Sequence, residues 1–127
     1  MTVWTVPATV LRVVDADTYD MELDLGWRIT YSAKVRLAGL NAPEMSTPEG
    51  VSARGWAIGQ LTNPYPFAGG PAMRPVTVVS HSLDKYGRVL GTVYWSEPQP
   101  KGARPLPIEA QHCLNADLLA AGHAAVM

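Results

Sequence analysis

From Thr18 to Leu25 the chain alternates without a break, with Tyr19, Met21, Leu23 and Leu25 on one face and Thr18, Asp20, Glu22 and Asp24 on the other. After Gly26 the alternation resumes. Trp27, Ile29, Tyr31, Ala33, Val35 and Leu37 take the apolar phase, and Arg28, Thr30, Ser32, Lys34 and Arg36 the polar one. Two such runs on either side of a glycine predict a hairpin whose apolar phases both face the core. The second run is longer than the usual five or six residues, as in small closed barrels where one bent strand serves two sides. Upstream, Thr9 to Val14 predicts a short first strand that ends in the turn Asp15-Ala16-Asp17. Downstream, Val76 to Ser80 and Val89 to Trp95 predict the fourth and fifth strands, joined through Asp84-Lys85-Tyr86-Gly87.

Helices are signalled by a different pattern. Thr47-Pro48-Glu49 places a capping hydroxyl, a proline at the first helical position and an acid against the positive end of the dipole. A helix is expected from there to about Leu61, with Val51, Ile58 and Leu61 on its buried stripe. Gly50, Gly55 and Gly59 each weaken it by up to ~1 kcal/mol relative to Ala. Asn63 to Pro75 and Ser96 to Pro107 are rich in proline and read as loops. A last helix is expected with Asn115 as cap, Leu114, Leu118 and Leu119 on its apolar stripe, and Gly122 as its stop. Five short strands with a helix inserted after the third describe an α+β, mainly β fold: a five-stranded Greek-key OB-type barrel with two helices, or three. No internal repeat appears, and one domain over 1–127 is expected.

Composition narrows the function classes. A hydrophobic content of 47% and a charged content of 17% are those of a globular domain. No apolar run approaches the roughly 20 residues of a membrane span, and the first residues do not read as a signal peptide, so a cytoplasmic location is expected. The lone Cys113 excludes an intrachain disulfide, and His81, His112 and His123 are not at zinc-ligand spacing. Ten basic and eleven acidic residues give a net charge of -1, which speaks against holding nucleic acid by bulk electrostatics and leaves room for a small local site.

The stretch Val35 to Glu44, VRLAGLNAPE, concentrates the candidate chemistry. Asp17 and Asn41 offer hard oxygen ligands just beyond strand ends, suited to calcium or magnesium. Each is also an ordinary turn former. Arg36 and Arg88 can each clamp phosphate oxygens by paired hydrogen bonds, or lie on a solvated surface. Glu44 can cap a turn, or take a proton from an attacking water.

The ordered blocks VVDADT (Val13 to Thr18), VRLAGLNAPE and DKYGR (Asp84 to Arg88), together with LNADLLAAGHA (Leu114 to Ala124), resemble the staphylococcal nuclease family. The resemblance runs from about Thr9 to Ala124. It implies an OB-fold barrel with added helices and calcium-dependent hydrolysis of DNA and RNA phosphodiesters, single strands preferred, leaving 3′-phosphate ends. By that resemblance Asp17, Asn41 and the backbone carbonyl of Ala42 would hold calcium, and Glu44 would orient or deprotonate the water. Arg36 and Arg88 would hold the scissile phosphate, and Lys85 and Tyr86 would contact a terminal phosphate. Asp15 matches an acid near the calcium. A monomer acting on nucleic acid, away from membranes, is expected.

The departures from the pattern matter as well. Asn41 stands where the best-known member has an aspartate, so one metal charge is missing and weaker calcium binding is expected. The loop Met45 to Gly50 lacks the lysines that flank the site in that member. The alternative is a barrel that has lost the chemistry and serves as a nucleic-acid-binding or interaction module.

Overall fold

The computed structural model describes residues 4–62, 73–83, 87–96 and 107–126. The strands are β1 (Trp4–Asp15), β2 (Thr18–Asp24), β3 (Thr30–Leu37), β4 (Leu40–Asn41), β5 (Val76–Leu83), β6 (Val89–Trp95), β7 (His112–Cys113) and β8 (Ala125–Val126). Helix α1 (Pro48–Leu61) follows β4, and α2 (Leu114–Ala120) follows β7, with a single 3-10 turn at Ile108–Ala110 before it.

The order β3-β2-β1-β5-β6 closes on itself because β3 also pairs with β6, in parallel, through Val35 to Val89, Arg36 to Leu90 and Leu37 to Gly91. The other barrel pairings are antiparallel. This is the five-stranded OB barrel that the alternation implies, mainly β, with two α-helices among the described residues. Gly91 lets β6 approach β5 closely: a Cβ there would lie 2.9 Å from the Val79 carbonyl oxygen. The barrel is filled by Tyr19, Met21, Val35, Leu37, Val78 and Val93, and Leu40, Leu61, Leu114 and Leu118 seal the side where the helices lie. No helix of the described residues is long and apolar enough to cross a membrane.

The bent strand that serves two sides is β1, not the predicted third strand. Its first half pairs with β5 (Trp4 to Ser80 through Ala8 to Val76), and its second half with β2. Register shifts at Val10/Arg12 and Val13/Asp15 supply the bends. The third strand is shorter than expected because Gly26, Trp27 and Arg28 all adopt left-handed φ (84°, 56° and 60°) and turn the chain. Leu25 N–H to Ile29 O (2.9 Å) and Ile29 N–H to Gly26 O (2.8 Å) lock that turn. The expected burial of the apolar phase fails here: Trp27 is 96% exposed, Ile29 57% and Tyr31 53%, whereas Val35 and Leu37 are fully buried.

Two helix details also change. In α1 the buried positions are Gly50, Ala53, Ala57 and Leu61, while Val51 is exposed and Ile58 is partly buried against the core. The inner face is therefore built of small residues, which bring the helix close to β1. In α2 the cap position is Cys113, and Asn115 lies inside the first turn, buried. The stop is as expected, with Gly122 at φ 77° just past the last turn. The Asn63 to Pro75 and Ser96 to Pro107 loops fall largely outside the described residues, as do Asp84, Lys85 and Tyr86.

Candidate active site

The β1–β2 turn, the end of β3 and the loop after β4 meet at one end of the barrel. Asp17 is buried in the turn, and its backbone carbonyl accepts the Leu37 N–H at 2.9 Å, so the turn is stitched to the end of β3. Tyr19 braces it from within by donating its hydroxyl to the Ala16 carbonyl at 2.6 Å. Burial, then the charge of Asp17, pushes the Tyr19 phenol far above its usual range, so it remains a donor.

Both carboxylate oxygens of Asp17 are engaged. Oδ1 accepts the Thr18 hydroxyl at 3.0 Å. Oδ2 accepts the Ala42 N–H at 2.9 Å and faces Nη1 of Arg36 at 3.2 Å. The other guanidinium nitrogen of Arg36, Nη2, donates to the amide oxygen of Asn41 in a short hydrogen bond. One guanidinium thus ties the oxygens of Asp17 and Asn41 together, and Asp17 in turn holds the backbone of Ala42. Four residues that the sequence marked separately form one connected group.

Asp15 lies close enough to feel it. Desolvation and then the negative charge of Asp17 raise its carboxyl above the usual range, while Arg36 and Arg54 pull it back. Arg54 reaches from α1 to donate Nε–H to the Val13 carbonyl at 2.8 Å, fastening the helix to the strand that leads into the turn.

Glu44 is placed by its backbone. Its carbonyl accepts both the N–H and the hydroxyl of Thr47, at 3.0 and 2.7 Å, and Thr47 Oγ1 in turn accepts the Gly50 N–H at 3.1 Å. Gly50 is required for more than helix flexibility, since a Cβ there would stand 1.9 Å from the Glu44 carbonyl oxygen. The Glu44 side chain is exposed, and its carboxylate takes no hydrogen bond from any described residue. Arg88 is half-buried at the entry to β6, where Leu90 stands opposite Arg36. Lys85 and Tyr86 lie outside the described residues.

Three further contributors carry no signal in the sequence that points to the site. Thr18 and Arg54 carry only weak signals there, the first as a strand residue after Asp17 and the second as the lone basic residue of α1. Asn115 carries the signal of a helix cap. Its amide instead accepts the Val93 N–H at 3.0 Å and donates to the Ala38 and Gly91 carbonyls at 3.1 and 3.3 Å. It therefore pins α2, β6 and the turn between β3 and β4 to one another. From the other side β8 pairs Ala125 with Asn41 and Val126 with Leu40.

Among the described residues no three His, Cys, Asp or Glu side chains converge as a metal cluster. The oxygens of Asp17 and Asn41 and the carbonyl of Ala42 are hard donors, and in type they fit calcium or magnesium. They carry one formal negative charge, which Arg36 already balances.

The closed OB barrel thus gathers acid, amide and guanidinium at one end. The chain is 32% identical over 97 residues to "Micrococcal nuclease" of Shigella flexneri, covering 76% of this chain and 47% of that protein. It is 33% identical over 98 residues to "Protein ParB" of Escherichia coli, covering 72% of this chain and 47% of that protein. The chain spans about half the length of these curated relatives, and no protein-family model matches it. Fold and sequence together show that it carries a staphylococcal-nuclease-like OB-fold domain.

Proposed function

We propose that this domain is a calcium-dependent nuclease that hydrolyses DNA and RNA phosphodiesters, with a preference for single strands and 3′-phosphate products. The observation that carries the reading is the bonded group Asp17, Arg36, Asn41 and Ala42, with Glu44 just beyond it on a loop held by Thr47. Arg36 would bind a non-bridging phosphate oxygen and meet the charge that builds there as the water adds. Arg88 would hold the phosphate from the β6 side and assist the leaving 5′-oxygen. The Glu44 carboxylate, which faces solvent, would take the proton from the attacking water. Lys85 and Tyr86 would contact a terminal phosphate. Asp17, Asn41 and the Ala42 carbonyl would hold calcium, which supplies positive charge to the phosphate oxygens when bound.

The test is incubation of the purified chain with a single-stranded DNA oligonucleotide, with calcium and with EGTA. Cleavage is expected only with calcium. Glu44→Gln should slow it by roughly 10²–10⁴-fold with an unchanged circular dichroism spectrum. A Glu44→Gln protein cutting at the wild-type rate would remove Glu44 from the role of base. Retention of the oligonucleotide without cleavage would favour a binding module instead.

A further inference from the structure

Asn41 looks like a defect when it is read as a metal ligand without charge. The structure gives the same residue a second job. Its amide oxygen and the Asp17 carboxylate are the two side-chain acceptors that hold the Arg36 guanidinium, beside a longer bond to the Leu37 carbonyl at 3.4 Å, and the side chains of Asp17 and Arg36 are each only 12% exposed. Those are also the two side-chain oxygens that a hard cation would need. Oδ2 of Asp17 already accepts the Ala42 N–H in addition to Arg36. A divalent cation on these oxygens would lie beside the guanidinium, and the two positive charges would repel, most strongly on the side of the largely buried Asp17 and less on that of the exposed Asn41. On Asp17 Oδ2 and Asn41 Oδ1 a metal would therefore contend with the arginine for the same acceptors. With a neutral Asn41, Arg36 balances Asp17 one for one, so the group is complete and charge-neutral by itself.

We propose that Arg36 and calcium compete for the oxygens of Asp17 and Asn41, so that binding the metal releases the guanidinium toward the substrate phosphate. The inference rests on the calcium assignment of the nuclease reading. A displaced guanidinium needs new acceptors, and the paired oxygens of a phosphate match its geometry. Arg36, displaced from Asp17 and Asn41, would then be free to grip the substrate phosphate. At low calcium the arginine closes the site on itself.

Calorimetric titration of calcium chloride into the full chain tests this without any cleavage measurement. Arg36→Gln should bind calcium roughly tenfold more tightly than the native protein, since the competing cation is gone. Lys34→Gln is the control, because Lys34 lies on the same strand and pairs with Asp20 at 2.8 Å rather than with the metal oxygens. It should leave the affinity within about twofold. Calcium binding by the variant but not by the native protein would also support the competition. Equal or weaker binding by Arg36→Gln, the same tightening in Lys34→Gln, or no binding by either Arg36 form would overturn it. If Arg36→Gln does not fold, thermal melts of Arg36→Lys replace it, because an ammonium cannot span both oxygens in the same way. Calcium should then raise the melting temperature of the variant more than that of the native protein, and an equal or smaller rise would overturn the inference. A chain that shows the competition yet leaves DNA intact would keep this inference while refuting the nuclease reading.

Discussion

The two ends of the β2–β3 hairpin are built from the same alternating pattern and meet opposite fates. At the site end Tyr19, Val35 and Leu37 are fully buried, and Arg36 is bonded to Asp17 and Asn41. At the far end Leu25, Trp27, Ile29 and Tyr31 lie exposed around a left-handed turn. Strand periodicity assigns each side chain to a face. It does not say whether anything covers that face. At the site end β6 closes the barrel, and Asn115 of α2 bonds to the turn beyond β3, so the inward phase is sealed. At the tip β3 has not yet met β6, whose pairing with it begins at Val35.

Truncating one apolar side chain at each end tests this difference most directly. Leu37→Ala should cost ~2–5 kcal/mol of stability, because it opens a cavity in a core that cannot collapse around it. Ile29→Ala should cost less than ~0.5 kcal/mol. Urea denaturation of the two variants measures both, and similar costs would mean that the tip is covered in solution. An effect smaller than that of Leu37→Ala is expected from Gly50→Ala, which drives a methyl group into the Glu44 carbonyl. Overpacking of this kind costs about 1–3 kcal/mol, and here the strain falls on the loop that places Glu44. Cleavage should therefore drop by more than the loss of stability explains. Unchanged cleavage with a matching loss of stability would show that the loop absorbs the strain elsewhere.

The smallest effect concerns Asp15, whose carboxyl is raised by desolvation and by Asp17. A raised carboxyl is harder to ionise in the folded state than in the unfolded one. Its ionisation therefore opposes folding: the penalty is full above the folded pKa, shrinks as the pH falls from there toward the unfolded pKa, and is gone below it. Asp15→Asn should raise the melting temperature slightly at pH 7, and the difference should shrink toward pH 4. A destabilised variant at pH 7 would mean that the carboxylate is held by attraction to Arg36 and Arg54.

Much of the barrel was legible because strands with one buried face must alternate, and a capped helix start carries a proline and a hydroxyl at set positions. The strand bounds were less legible. Nothing in Trp27-Arg28 announces left-handed backbone, and β1 runs beyond its predicted ends because its pairing with β5 depends on residues far along the chain. The helix faces are set in the same way, by distant packing. Size and polarity suggested that Val51 is buried, whereas the closeness of α1 to β1 selects alanine and glycine.

By itself the sequence determined which residues carry acid, amide and guanidinium, and on which phase of which strand they stand. Those are local properties, set by side-chain chemistry and a period of two. Only the tertiary structure decided that Arg36 spans Asp17 and Asn41, that Asp17 holds Ala42, and that Asn115 leaves its expected cap to tie α2 to the barrel. Such bonds join residues from separate elements, and their distances exist only once the barrel has closed.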